Sequence, residues 1–320
     1  MGKSQASDSN PNSLEIRSSS SYYKFSNFLN YGKAPVIPKA SRNDSEREMV
    51  VDIPSLADTK LPSWHGRLEE VWGKARREKL VDNLIVHGSH GDQTSNSYSD
   101  LDMTLILDDR IFGSLPQMNK LRKWLRNDLL PAVLSVDPLQ HHGPFFLWNN
   151  LIDNYLEDIL PIAVYQHAWT MNPVKIGFRP LPSDTKRDAA HRSLISLQDS
   201  SKFFSRGHTM YNMKRYLSNL MLVPALHWSD LGTPMFKGES FEPFYEKFGS
   251  AANPIKVASD LRQKWPTTPE KISKAVQLGS QVKGGLELAR QLYHDDSVSK
   301  ILINEIMPGI SDLADSVART

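Results

Sequence analysis

Two short apolar runs early in the chain predict neighbouring β-strands. The first covers residues 84–86, and the second opens with Asp100, Leu101 and Asp102 and ends at Leu107. Aliphatic and β-branched runs of this length, bounded by Gly, Asn and Ser, are typical of strands. The stretch between them is polar and rich in turn-forming residues. The pattern therefore predicts a strand, a glycine turn, a loop and a second strand.

Helical spacing of apolar residues is found on both sides of this unit. Ser63 is a predicted helix N-cap, followed by an apolar stripe over residues 64–75. A second helix is expected over residues 118–129, and Pro131 limits it because proline disrupts a helix interior. Two further apolar runs, at 132–136 and 145–148, predict strands separated by a turn.

The composition changes after Pro161. Residues 171–182 are rich in Pro and Gly and predict a connector, and residues 224–241 predict a loop. Helical patterns cover residues 186–205, 209–223, 241–247, 256–264, 268–293 and 298–318. We therefore expect an α+β fold, with a mixed sheet and flanking helices in a catalytic domain at 61–170 and a helical C-terminal domain at 171–320.

The first 60 residues differ from the rest of the chain. They contain twelve serines, including a run at 18–21, and show little helical periodicity. Polar, low-complexity sequence of this kind does not bury enough apolar surface to offset its chain entropy. We expect residues 1–60 to be a largely disordered tail.

Whole-chain composition excludes several classes of protein. The net charge is +2, and no basic stripe is evident, which argues against long nucleic acid as a partner. The chain has no cysteine, so disulfides, thiolate zinc sites and cysteine nucleophiles are excluded. It has no apolar run of about 18 residues, the length that spans a membrane, and no signal-peptide core. We expect a cytoplasmic protein with no membrane partner.

Four residues where the predicted strands meet the loop carry candidate chemistry. On an extended strand, Asp100 and Asp102 project to the same side, about 6.6 Å apart along the chain. Neighbouring carboxylates raise each other's pKa unless a cation lies between them, and proteins hold Mg²⁺ through one or two carboxylates plus substrate phosphates. Gly88 permits a tight turn close to a ligand, and the hydroxyl of Ser89 can donate to a phosphate oxygen.

The order and spacing of these residues resemble the signature of the nucleotidyltransferase superfamily typified by DNA polymerase beta. That signature has an apolar residue, Gly and Ser, a short spacer, and then Asp, an apolar residue and Asp or Glu. Here ten residues separate Ser89 from Asp100. The resemblance implies a mixed sheet flanked by helices, a triphosphate cradled at Gly88 and Ser89, and two Mg²⁺ (or Mn²⁺) ions on Asp100 and Asp102.

The superfamily also uses a third carboxylate on a later strand. Asp137 comes in the right order to be a metal ligand or general base. Pro138 follows it where an apolar strand residue would be expected, so a turn-opening aspartate is the alternative. Glu157 and Asp158 are rival positions on a segment with helical character.

Two histidines and one lysine are further candidates. Adjacent side chains on a strand point to opposite faces, which excludes a zinc site formed by His141 and His142 together, although one of them could line the pocket. Lys214 is the preferred phosphate contact, because Tyr211 and Leu217 would bury its helix and leave the lysine near the cleft. An ordinary surface lysine is the alternative.

These features predict a metal-dependent nucleotidyltransferase. It would transfer a nucleoside monophosphate from an NTP, with ATP among the candidates, to an acceptor hydroxyl and release pyrophosphate. The acceptor is not identified by the sequence: a small molecule, a protein side chain, an RNA end or a second nucleotide all remain open. A non-catalytic nucleotide-binding or scaffold protein with the same fold is the alternative.

Overall fold

The computed structural model describes residues 49–55, 62–111, 113–156, 161–179 and 188–320. Most of the predicted tail, residues 1–48 and 56–60, lies outside the described residues, as do Glu157 and Asp158. Across the described ranges, no helix is long and apolar enough to cross a membrane. The architecture is mixed α+β, with two small sheets followed by a mostly helical C-terminal region.

Strands and helices are interspersed in the first part of the chain. In order they are β1 (Met49–Ile53), α1 (His65–Arg77), β2 (Val81–Val86), α2 (Gly88–Gly91), β3 (Met103–Leu107), α3 (Leu115–Trp124), α4 (Leu130–Val136), β4 (Phe145–Trp148), β5 (Tyr155–Leu156), β6 (Trp169–Thr170) and β7 (Val174–Arg179). The first sheet has the strand order β4-β3-β2-β6, and the second has the order β1-β7-β5. Strand β3 pairs antiparallel with β2 and parallel with β4, so it lies inside the first sheet.

Both faces of the first sheet are buried, which explains the near-continuous apolar sequence of its central strands. Leu84 and Leu105 are paired across β2 and β3 and lie in one apolar cluster with residues of α1. Ile85 and Ile106 alternate with them and lie in a second cluster with Ile176 of β7. The ends of β2 and β3 are therefore held between a helical layer and the second sheet.

The C-terminal region is built from helices. They are α5 (Ala189–Gln198), α6 (Ser201–Phe204), α7 (Met210–Leu220), α8 (Val223–Asp230), α9 (Lys237–Phe248), α10 (Asn253–Gln263), α11 (Glu270–Ser280), α12 (Gly285–Arg290), α13 (Asp296–Ile301) and α14 (Ile310–Ala318). Helix α7 is buried along almost its whole length. Tyr98 and Leu134 from the first half of the chain join the apolar core around α7, so the two halves share this core.

The predicted strands at 84–86, 101–107 and 145–148 are confirmed in outline, whereas the predicted strand at 132–136 is wrong. That segment is part of α4. The sequence did not distinguish the two structures, because a short buried apolar run is compatible with either a strand or a helix. The prediction that Pro131 limits the preceding helix is also wrong. A π-helical segment, Leu125–Leu129, joins α3 to α4, so the helical backbone continues past the proline.

Three further segments differ from the prediction. Strand β1 lies within the range predicted as a tail and pairs with β7, which itself lies within the predicted connector at 171–182. The predicted loop at 224–241 contains most of α8 and the start of α9. Pro224 occupies the first turn of α8, and Pro243 lies inside α9. In these segments proline and glycine predict loops, but tertiary packing stabilises a strand and two helices.

Helix α8 carries a buried histidine that is held in its neutral form. His227 is 3% exposed, and its Nε2 lies 3.0 Å from Nζ of Lys247. The lysine ammonium can donate to this nitrogen only if the imidazole is neutral. Burial, with the charge of Lys247 adding to it, lowers the pKa of His227 to about 4.

We expect His227→Gln to make the protein less sensitive to acid. In the wild type, the unfolded state takes up a proton near pH 6.5, whereas the folded state does so only near pH 4. Folding stability is therefore lost as the pH falls through this window, on the order of 2–3 kcal/mol in total. Glutamine keeps an acceptor for Lys247 without titrating, so this part of the loss should disappear.

Urea unfolding at several pH values across this window measures the effect. His294→Gln, at an exposed position, is the matched control. Equal acid sensitivity of His227→Gln and the wild type would contradict the neutral assignment.

Candidate functional site

The polar segment between β2 and β3 forms a turn and a loop, as predicted. After Val86 the chain makes the short helix α2 and then an irregular loop before Met103. The N–H of His87 donates to the carbonyl of Asp102 at 3.1 Å, which extends the pairing of the two strands by one step. The prediction that Asp100 and Asp102 lie on the second strand is wrong, because β3 begins only at Met103 and both aspartates belong to the irregular segment before it.

Gly88 and Asp102 lie in close contact. Gly88 has a φ of +64°, and a Cβ atom there would lie 2.5 Å from Oδ2 of Asp102. Glycine is required because the backbone is left-handed and the neighbouring carboxylate leaves no room for a side chain. Ser89 follows Gly88 in α2 and is half-buried. The glycine turn thus lies directly against one of the two candidate carboxylates.

Two adjacent histidines contact the two aspartates. Nδ1 of His141 lies 3.0 Å from Oδ1 of Asp100, and Nε2 of His142 lies 2.8 Å from Oδ1 of Asp102. The prediction that these histidines point to opposite faces is wrong, because residues 137–144 form turns and irregular backbone and not a strand. Burial opposes a charge on His142, but the bond to Asp102 and the charges of both aspartates raise its pKa to about 9.

A buried lysine from α7 reaches the same cluster. The side chain of Lys214 has 0% exposure, and its Nζ lies 2.7 Å from Oδ2 of Asp137 and 3.3 Å from Oδ1 of Asp100. Burial opposes the charge on Lys214, but the two carboxylates outweigh burial and raise its pKa. The alternative of an ordinary surface lysine is wrong.

Asp137 lies behind this lysine at the C-terminal end of α4. Its Oδ1 accepts the N–H of Leu139 at 2.9 Å, the turn-opening bond considered from the sequence. Burial raises the pKa of Asp137 to about 7, with the ammonium of Lys214 opposing the shift and Asp100 adding to it. Burial acts in the same direction on Asp100, but His141 and Lys214 outweigh it and hold the pKa of that carboxyl well below its usual range.

The expected repulsion between the first two aspartates is therefore offset by cations from the chain itself. Asp100 has Lys214 as a partner, and Asp102 has His142. Burial opposes the charge on Asp102, but the bond to His142 and its charge lower the pKa of that carboxyl.

A further cation, Lys237, lies near the aspartates. It is one of several basic residues that the sequence places next to apolar or aromatic stripes in the C-terminal domain, but it is not among the predicted site residues. Burial and the charge of Arg262 lower the pKa of Lys237 to about 8, while Asp102 and Asp100 act in the opposite direction. Lys237 therefore lies within electrostatic reach of both aspartates and of Arg262. Lys237 is the first residue of α9, in a segment predicted as a loop. Arg262 lies near the end of α10 and belongs to no sequence motif.

The imidazole of His90, on α2, lies within electrostatic reach of the two aspartates. Its Nε2 is buried and has no hydrogen-bond partner among the described residues. Burial lowers the pKa of His90, and the charges of Asp102 and Asp100 reach it and oppose the shift. The sequence offered no reason to single it out, although it directly follows the glycine-serine pair.

The loop before Asp100 is attached to the helical region. The hydroxyl of Tyr98 donates to the carbonyl of Lys214 at 2.9 Å and lies 2.7 Å from Oγ of Ser218. Oγ of Ser97 donates to the carbonyl of Trp265 at 2.6 Å. The bonds of Tyr98 fix α7 relative to the loop and so determine where the ammonium of Lys214 lies, and the bond of Ser97 joins the loop to the segment after α10.

The donors in this cluster fit a divalent metal ion, the group that the resemblance implies. The ligand atoms of Asp100, His141 and His142 all lie within 4.8 Å of one another, and the carboxylate of Asp102 is next to them. Both carboxylate oxygens of Asp137 already accept bonds, from Lys214 and from the chain. A metal-ligand or general-base role for Asp137 stays a prediction, as does a phosphate contact by Lys214.

Comparison with known proteins gives no family assignment. No protein-family model, no curated protein and no solved structure matches this chain.

We expect Gly88→Ala to disturb Asp102 specifically. The added methyl group meets Oδ2 of that aspartate, so the carboxylate must turn away and lose its bond to His142. The pKa of His142 should then fall below its value of about 9, as followed by NMR titration of the imidazole. Gly207→Ala is the matched control, because Gly207 has a φ of +85° but open space around a Cβ atom.

Both alanine variants should lose roughly 1–2 kcal/mol of stability from the left-handed backbone. Only Gly88→Ala should alter the His142 titration, and an unchanged titration in that variant would show that the contact with Asp102 is absent.

We expect Lys214→Met to destabilise the protein strongly. Removing the ammonium leaves the carboxyls of Asp137 and Asp100 buried without their shared cation, which costs about 3–5 kcal/mol in comparable sites. Adding Asp137→Asn should recover part of this loss, and a double-mutant cycle by chemical unfolding measures the coupling. Lys274→Met, which breaks an exposed pair with Glu270, should cost under about 0.5 kcal/mol. Losses of equal size at the two lysines would contradict a buried ion cluster.

Proposed function

We propose that this chain is a metal-dependent nucleotidyltransferase with a nucleotidyltransferase-like catalytic domain. It would transfer a nucleoside monophosphate from an NTP to an acceptor hydroxyl and release pyrophosphate. The contact between Gly88 and Asp102 carries the proposal, because it joins the glycine-serine turn and the acidic pair of the signature at one end of a sheet. The mixed α+β architecture with a helical C-terminal region agrees with it.

The charges of the cluster suit a metal-bound triphosphate. A divalent ion held by Asp100 and Asp102 would supply Lewis acidity and neutralise phosphate charge. Lys237 would bind phosphate oxygens, because ammonium groups bind phosphate strongly, and Arg262, whose charge acts on Lys237, is a second candidate. Gly88 would let the backbone approach these phosphates closely.

Two other buried groups would position a metal-binding carboxylate and remove the proton from the acceptor hydroxyl. Lys214 would hold Asp100 in place, since its ammonium lies between Asp100 and Asp137. The acceptor oxygen would form its bond to the α-phosphorus as the bond to the bridging oxygen of pyrophosphate breaks. Asp137, with a pKa of about 7, is the candidate base for the acceptor proton.

A non-catalytic nucleotide-binding protein is the second candidate function. One observation favours it: the carboxyls of Asp100, Asp102 and Asp137 each already have a nitrogen partner from the chain. A cluster that is paired internally can stabilise a fold without catalysing a reaction. Metal-dependent nucleotide binding without pyrophosphate release, across small-molecule, RNA and protein acceptors, would favour this candidate.

We expect Asp100→Asn and Asp102→Asn to abolish pyrophosphate release. Each loss should be on the order of 100- to 1,000-fold or greater, because a charged group that acts on the transition state is removed. The measurement is pyrophosphate release from the four NTPs with Mg²⁺ or Mn²⁺ and a panel of acceptors. Asp52→Asn, at an exposed carboxylate on β1, is the matched control and should retain activity.

Thermal stability is followed in the same variants. Release that persists in folded Asp100→Asn and Asp102→Asn protein would rule out the proposed reaction at this site.

A further inference from the structure

The two imidazoles beside the aspartates are not part of the glycine-serine and aspartate signature. The side chains of Asp100, His141 and His142 are 8%, 4% and 7% exposed, and their ligand atoms all lie within 4.8 Å of one another. Transition ions bind such atoms at about 2.0–2.2 Å, so two donors of one ion lie roughly 3–3.5 Å apart. Small side-chain movements are enough to bring this triangle of donors onto one ion.

A neighbouring carbonyl orients one of the histidines as a metal ligand. Nδ1 of His142 lies 3.0 Å from the carbonyl oxygen of Gly143, to which it can only donate. When a metal ion replaces the proton on Nε2, that bond keeps the other proton on Nδ1 and leaves the Nε2 lone pair for the ion, beside Asp102. A ligating histidine whose other ring nitrogen donates to a carbonyl or carboxylate is a recurrent feature of metal sites, because the bond fixes the ring orientation.

The formal charge of the inner cluster also suits a divalent ion. A metal ion displaces the proton of His142, because only a neutral imidazole binds a metal ion. The carboxylates of Asp100, Asp102 and Asp137 and the ammonium of Lys214 then sum to a charge of minus two. One divalent ion balances this charge.

We propose that Asp100, His141 and His142 form a site for a first-row transition-metal ion of the Mn²⁺ to Zn²⁺ series, in preference to Mg²⁺. Imidazole nitrogen suits these ions, whereas Mg²⁺ is a hard ion that takes oxygen ligands and releases its water reluctantly. The site overlaps that of the proposed nucleotidyl transfer. The inference does not depend on that activity, because the donors belong to the chain and are present without nucleotide.

The first test uses the full chain, stripped of metal with a chelator and free of nucleotide. Calorimetry should show one Co²⁺ ion bound per chain, with Mg²⁺ binding more weakly by about 100-fold or more. Bound Co²⁺ should absorb visible light more strongly than the hydrated ion. Pulsed EPR of bound Mn²⁺ should show couplings to imidazole nitrogen. Equal affinity for Mg²⁺ and Co²⁺, or Mn²⁺ spectra without nitrogen coupling, would overturn the inference.

The second test removes the imidazoles. His141→Gln and His142→Gln should each weaken Co²⁺ binding on the order of 10- to 100-fold and leave Mg²⁺ binding little changed. His294→Gln is the control, and circular dichroism checks that each variant is folded. Co²⁺ binding that is unaffected in both folded variants would overturn the inference, and the spectra of the wild type decide the question if either variant fails to fold.

The two proposals fail in distinguishable ways. Pyrophosphate release with Mg²⁺ together with no preference for Co²⁺ would overturn only the metal inference. Selective Co²⁺ binding without pyrophosphate release under any acceptor would support the metal inference and count against the proposed function.

Discussion

A buried set of opposite charges at the junction of sheet and helices governs this structure. Carboxylates removed from water are costly unless cations and hydrogen bonds accompany them, and here the ammonium of Lys214 lies between Asp137 and Asp100. The lysine comes from α7, the most buried helix of the C-terminal region. The charge cluster therefore requires that the helical region and the loop before β3 fold together, and the hydroxyl of Tyr98 strengthens that connection.

The cluster has a negative interior with cations close beside it. Asp100 and Asp102 lie at the end of the first sheet, and Lys237 lies within electrostatic reach of both. This arrangement suits a cation bound together with a polyanion, since each would neutralise the other. The chain's own cations already offset much of the negative charge of these carboxylates. A site of this kind can bind a nucleotide without transferring it.

The layers of the first sheet explain why part of the fold follows from the sequence. Strands β2 and β3 are buried on both faces, so their near-continuous apolar runs stand out from the polar loop between them. The run at 132–136 has the same apolar character but forms a helix, because burial on all sides does not distinguish a strand from a helix over five residues. Pro224 and Pro243 likewise lie in helices, where packing outweighs local propensity.

By itself, the sequence determined the strand-turn-loop-strand unit, with a glycine at the turn and two aspartates where the loop meets the second strand, because these features depend on residues close together in the chain. Only the tertiary structure decided which group partners each carboxyl. Lys214 and Asp137 are 77 positions apart, and His141 and Asp100 are 41 positions apart. Such contacts arise when distant elements pack against one another, and no local pattern records them. The histidines show the reason most directly: on a strand they would point apart, but an irregular backbone turns both toward the aspartates.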